Sequence, residues 1–174
     1  MRIVAGRWRG RRIEAPDSEL VRPTGDRVRE SWMSIVHDQL PDARVLDLCA
    51  GSGALGLEAL SRGAAHCDFV EKSSRVFPVL QANLAALGGH VGAVLHREDA
   101  VRFAQTLSAG AYDVAFADPP YATDIAAALV AAWIETPFAH VLGIEHASNM
   151  ALPAPGRTRR YGSTSLTFYH SDRT

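Results

Sequence analysis

Val45-Leu46-Asp47-Leu48-Cys49-Ala50-Gly51-Ser52-Gly53-Ala54-Leu55-Gly56 is the stretch on which the reading of the chain turns. Its first five residues form an apolar run of strand length with one carboxylate inside it, which predicts a buried strand. Ala50 to Gly53 then turns the chain. Leu55, Leu57, Ala59 and Leu60 follow at helical spacing as far as Gly63, a residue type that ends helices. Downstream the same unit recurs. Cys67 to Val70 is a second strand ending in Glu71, followed by a helix from Ser74 to Leu87. Val91 to Leu95 is a third strand, leading to Asp99 and a helix carrying Val101, Phe103 and Leu107. Tyr112 to Ala117 is the fourth, Ile125 to Ile134 the next helix, and Val141 to Ile144 a fifth strand ending at Glu145. Alternation of this kind predicts a mostly parallel α/β sheet with helices on both faces. The tail breaks the rhythm: Arg157 to Tyr161 and Ser165 to Tyr169, separated by Gly162, alternate with the two-residue period of an antiparallel hairpin.

Upstream, Ile3-Val4-Ala5 and Arg12-Ile13-Glu14-Ala15 flank a Gly6 to Gly10 segment that reads as a small β-hairpin. Arg7, Arg9, Arg11 and Arg12 sit on its face and tip, with Trp8 exposed between them, either to stack on an unpaired base or to pack back on the domain. Arg22-Pro23-Thr24-Gly25-Asp26-Arg27-Val28-Arg29-Glu30 then opens a helix capped by Thr24 or Asp26, with Val28, Trp32, Ile35, Val36 and Leu40 on its inner face. That places Arg22, Arg27 and Arg29 near a helix amino end, where the dipole favours anions. At 174 residues the chain has the size of one domain, divided as a basic extension over 1–21 and a main domain over 22–174.

Charge is unevenly distributed. The net charge is -1, yet Lys72 is the only lysine, so nearly all positive charge is arginine, whose planar fork suits phosphates and guanine edges. Cys49 and Cys67 lack metal-ligand spacing and read as thiols of a reducing compartment; no metal is expected. The Ile125 to Ile134 run is too short to cross a bilayer, and the charged amino terminus has no apolar stretch after it, so a cytoplasmic location is expected.

Gly51 to Gly56 matches the G-x-G-x-x-G fingerprint, and Glu71 lies about 20 residues on, where a dinucleotide site wants an acid. A nicotinamide-dependent oxidoreductase is therefore one reading. Asp47 argues against it, since a carboxylate inside the strand end repels a pyrophosphate. Glu71, Asp99 and Asp118 end successive strands of the same sheet edge. Four acids so placed suit a ligand with a ribose, an amino-bearing base and a positive charge, and S-adenosylmethionine has all three. Glu71 would take the ribose hydroxyls, Asp99 and Ala100 the adenine, and Asp47 with Ala50, Gly51, Ser52 and Gly53 the methionine end. Asp118-Pro119-Pro120-Tyr121 follows the fourth strand. Asp118 and the Pro119 carbonyl can accept from one exocyclic amino group, the prolines stiffen the backbone, and Tyr121 offers a ring for stacking.

These residues resemble the class I methyltransferase fold, in which an aspartate-proline-proline-tyrosine motif marks methylation of an amine conjugated to a flat ring. Arg22 to Glu30, Asp47 to Ala64, Asp118 to Tyr121 and Tyr161 to Tyr169 together resemble, more narrowly, the bacterial RsmD family. The resemblance implies a Rossmann-like sheet and S-adenosylmethionine as cofactor. It further implies methyl transfer to N2 of a guanine in 16S ribosomal RNA, within the small subunit or its assembly intermediate, by a monomer. Asp118, Pro119, Pro120 and Tyr121 would be catalytic, with Asp118 also bordering the cofactor, and the arginines and Trp8 would meet RNA. Other RNA or DNA amines remain open as substrates.

Overall fold

The computed structural model of the chain describes residues 1–17, 25–88, 92–153 and 156–172. Its strands are β1 Arg44–Leu48, β2 His66–Val70, β3 Ala93–His96, β4 Tyr112–Ala117, β5 Ala139–Ala147, β6 Arg157–Tyr161 and β7 Thr164–His170. They form one sheet in the order β3-β2-β1-β4-β5-β7-β6. The strands from β3 through β5 pair in parallel, while β7 runs antiparallel between β5 and β6. The expected architecture is thus present, including the antiparallel tail. From β1 the chain steps outward to β2 and β3, then returns to place β4 on the other side of β1. That reversal opens a crevice beyond the carboxyl ends of β1 and β4, where ligands bind in such sheets.

Helices α1 Asp26–Ile35, α2 Ala54–Ser61, α3 Phe77–Ala86, α4 Ala100–Gln105 and α5 Ile125–Glu135 cover the two faces. Alternate residues of β4 divide between the layers: Val114 and Phe116 join the core under α1, α2 and α3, whereas Ala115 and Ala117 join that under α4 and α5. Trp32 of α1 is fully buried, edge-on to Phe116 and Phe168 with ring centroids 5.4 Å apart in each case. The helix expected from Ser74 begins at Phe77, after a turn in which Ser73 Oγ accepts from Val76 N at 3.3 Å; Pro78 occupies the first turn, where its missing N–H costs nothing. Among the described residues no helix is long and apolar enough to cross a membrane.

The amino-terminal segment closes as a small hairpin: Ile3 N donates to the Arg11 carbonyl at 3.0 Å, Gly10 N to the Ile3 carbonyl at 2.9 Å and Ile13 N to the Met1 carbonyl at 3.1 Å, about an antiparallel bridge between Arg2 and Arg12. The donors between its two arms turn to α2. Val4 N and Ala5 N each donate to a Glu58 carboxylate oxygen at 2.9 Å, and Trp8 N donates to Ser61 Oγ at 3.0 Å. Ile3, Trp8 and Ile13 join the same core as α1 and α2. Trp8 is therefore buried, with the Arg7 guanidinium 4.2 Å from its ring centroid, and is not the exposed tip that the sequence suggested. Arg29 is corrected likewise. It is 2% exposed and donates to Asp26 Oδ1 at 2.9 Å and to the Arg2 carbonyl at 3.0 Å, which removes it from any RNA-facing surface. The amino cap of α1 is Gly25, with no side-chain cap bond; Asp26 stands in the first turn, and Arg22 and Thr24 lie outside the described residues.

On the β2 side, Asp68 gathers three donors: Tyr112 Oη at 2.8 Å, His96 Nε2 at 2.7 Å and His66 Nε2 at 3.0 Å. Burial alone would raise its pKa, but the bonds from His96, Tyr112 and His66 outweigh burial and hold it below the usual value. A depressed carboxyl pKa contributes stability above the ordinary value near 3.9, lost as pH falls through the lowered one. Asp68→Asn should therefore cost roughly 1.5 to 3 kcal/mol at pH 7 and narrow towards wild type below about pH 4. Urea titrations across pH 3 to 7 measure both; a gap constant over that range would place the loss outside the carboxylate.

Candidate active site

The turn after β1 carries three left-handed residues, Cys49, Gly51 and Gly53. Gly53 is required twice over: φ is +84°, and a Cβ would come within 2.5 Å of Leu80 Cδ1. At Gly56 a Cβ would drive into the Phe69 ring and the Cys67 sulfur, so glycine there lets α2 lie close on β2. Asp47 is 2% exposed, and its Oδ2 accepts from Gly56 N at 2.9 Å, tying the start of α2 to β1. Burial pushes its carboxyl up, the Gly56 bond opposes that, and Asp118 and Glu71 raise it further. Asp47 thus stands behind the glycine turn as its support. Of the turn residues assigned to the cofactor, Gly51 borders the cavity, while Ala50, Ser52 and Gly53 are buried behind it.

Beyond the strand ends lies a cavity of about 410 Å³. Glu71, Asp99, Ala100, the whole Asp118 to Tyr121 motif and Glu145 border it, with Cys49, Val70, Val76 and Ile125 as apolar wall. Glu71 accepts from Gly51 N at 2.9 Å and from Ser73 N at 2.8 Å, which fixes both its oxygens at the cavity edge. Asp99 caps α4, accepting from Val101 N and Arg102 N at 3.0 and 3.2 Å, while its other oxygen lies 3.5 Å from Lys72 Nζ. The Arg102 N–H bond is the largest influence on its pKa and lowers it; burial opposes that, and Lys72 and the Val101 N–H add to the lowering, so it stays ionised. At Cys49, burial pushes the thiol up, and Glu71, Asp118, Asp47 and Asp99 all add to it. One side chain thus feels all four acids that the sequence placed at strand ends.

Tyr121 is held from behind. Its hydroxyl donates to Glu145 Oε1 at 2.8 Å and, having a single proton, accepts from Thr164 Oγ1 at 2.7 Å. Burial, partly offset by the Thr164 bond and reinforced by Glu145, raises its pKa to about 12, so the proton that makes the link stays in place. Sequence reasoning gave Glu145 no role. The available signal was a fifth acid at the end of an apolar run; β5 in fact continues past it to Ala147, paired with β7. Arg7, Arg9, Arg11, Arg12 and Arg27 are exposed on the helical face that α1, α2 and the amino-terminal segment share.

The site fits S-adenosylmethionine on its own terms. Cofactor cavities run from about 300 to 1,000 Å³, and carboxylates outnumber the single cation Lys72 on this wall, which favours a sulfonium and disfavours a pyrophosphate. The sheet reversal, the glycine turn over an acidic cavity and the Asp118 motif after β4 together define a class I methyltransferase fold, whose methyl donor is S-adenosylmethionine. A family profile described as conserved hypothetical protein 95 matches residues 1–170. The chain is 42% identical over 121 residues to ribosomal RNA small subunit methyltransferase D of Escherichia coli, an alignment covering 70% of this chain and 60% of that protein. To YlbH of Bacillus subtilis, provisionally named an rRNA methyltransferase, it is 33% identical over 180 residues, covering 97% of this chain and 98% of the relative. The solved structure of yhhF from Escherichia coli superposes with a TM-score of 0.84 at 31% identity, covering 98% of this chain and 97% of that one. The chain belongs to this family, the RsmD methyltransferases.

Proposed function

We propose that this methyltransferase acts on N2 of a guanine in small-subunit ribosomal RNA, in the cytoplasm and as a monomer. The observation that carries the reading is that Asp118-Pro119-Pro120-Tyr121 borders the same cavity as Glu71 and Asp99, so an amine held by the motif meets the end of a cofactor held by the acids. The name of the Escherichia coli relative supports the RNA substrate. Bound S-adenosylmethionine supplies an electrophilic methyl group on a cationic sulfur. The rest falls to the chain. Asp118 and the Pro119 carbonyl accept the two N–H bonds of the amine and draw its lone pair out of conjugation with the ring. Tyr121, tethered through Glu145 and Thr164, presents its ring to the base. Holding the two reacting atoms in line in this way can contribute roughly 7 to 11 kcal/mol. A methylated amine is acidic enough to lose its proton to water or Asp118, so no strong base is needed. The guanine leaves any stack to enter, at a cost of a few kcal/mol.

Incubation with labelled S-adenosylmethionine and unmodified small subunits, in parallel with naked 16S RNA, should put label in N2-methylguanosine. Label in another nucleoside overturns the base assignment, and none in either substrate overturns the RNA reading. Glu145→Gln weakens the Tyr121 tether and should lower kcat/KM by about tenfold with cofactor Kd unchanged. A matching loss in cofactor affinity would place Glu145 on the cofactor side.

A further inference from the structure

We propose that the β6 edge strand is a second phosphate-binding surface, which holds the RNA strand beside the cavity; this rests on the reading of RNA as substrate. β6 is the outermost strand of its side of the sheet and is exposed from Arg157 to Arg160. Three of its five residues are arginine. Among the described residues none of the three lies within 4.0 Å of a carboxylate. Register places them. Glu145 on the cavity wall pairs with Leu166, and Leu166 pairs with Arg159, so Arg159 lies two strand spacings from Glu145, about 10 Å. Directly paired residues share a face, so Arg159, and Arg157 two residues before it, stand on the Glu145 side of the sheet. The strand then ends in the turn that leads to Thr164, whose hydroxyl meets Tyr121. An RNA strand whose base enters beside Tyr121 would therefore pass this edge. Edge strands are often guarded by charge against pairing with another chain. Guarding needs charge of either sign, whereas every charge on this edge is an arginine and the strand runs to the motif that receives the base.

The test uses the Arg157→Ala, Arg159→Ala double variant in the full chain. Arg160 is left alone, because its Nε donates to the Gly162 carbonyl at 3.0 Å and supports the turn. Affinity for unmodified 16S RNA is measured between 50 and 300 mM salt. The salt slope should fall by about 1.4 to 1.8, corresponding to two phosphates, with RNA affinity about tenfold weaker at physiological salt. Cofactor Kd, melting temperature and the rate at saturating RNA should stay unchanged, and the corresponding double lysine variant should keep the wild-type slope. An unchanged slope overturns the proposal, as does a loss that lysine fails to restore. Methyl transfer by the wild-type chain reports on the substrate reading separately: RNA binding with an edge-dependent slope but no transfer would leave this surface standing and remove the assigned reaction.

Discussion

Asp118→Ala should lower methyl transfer by about a thousandfold while leaving S-adenosylmethionine affinity within a factor of about two. Two contributions add. The carboxylate is one of two acceptors that the motif offers to the amine, and removing one preorganised partner of a reacting group typically costs about 10² to 10³ in kcat. Its negative charge also opposes the positive charge that builds on nitrogen as the methyl group arrives, an interaction strengthened inside a half-buried cavity. Glu71 and Asp99 keep their own backbone partners when Asp118 is removed, so the cofactor side of the cavity retains its shape. Asp118→Asn separates the two contributions, since an amide keeps one acceptor oxygen and loses the charge; it should retain more activity than the alanine variant. Single-turnover rates with calorimetric cofactor binding give the result. A loss of cofactor affinity equal to the loss in rate would move Asp118 from the amine to the cofactor.

How far the sequence led is clearest at particular residues. Strand and helix alternation was legible because strands buried on both faces are continuous apolar runs; β4 falls on Tyr112 to Ala117, as its pattern predicts. The three strand-end acids on the cavity wall were legible for the same reason. Asp47 stands at the strand end that the pattern predicts, 2% exposed and bonded to Gly56 N. Nothing in its spacing distinguishes an acid that faces a ligand from one that ties Gly56 to the strand. Arg29 and Trp8 misled because composition sees an arginine cluster: the Asp26 partner of Arg29 is local, three residues back on α1, but the Arg2 carbonyl and Met1 that bury Arg29, and the α2 contact that buries Trp8, come only with tertiary packing. Glu145 escaped because its partner Tyr121 lies 24 residues away, and only the β5 and β7 pairing brings Thr164 to Tyr121 as well.

The same tertiary logic makes Glu58 the most consequential residue outside the cavity. It is fully buried on α2, and its carboxylate holds Val4 N and Ala5 N at 2.9 Å and Arg62 NH2 at 2.9 Å. Glu58→Ala would strand two half-buried N–H donors and a guanidinium that is itself only 15% exposed. Breaking a buried ion pair from one side costs about 3 to 5 kcal/mol, which for a domain of this size lowers Tm by roughly 6 to 20 °C. The loss should be local as well as global. Residues 3–8 are fastened to α2 through Glu58 and Ser61, so hydrogen exchange at Val4 and Ala5 should accelerate well beyond that of the β1 and β4 amides. If Arg7 and Arg9 meet RNA, loosening their mount should weaken RNA binding while cofactor affinity below the melting transition is unchanged. Glu58→Gln, which keeps one acceptor but not the charge, should fall between. A Glu58→Ala variant melting within about 2 °C of wild type would mean that solvent satisfies these donors and that the segment is not anchored through α2.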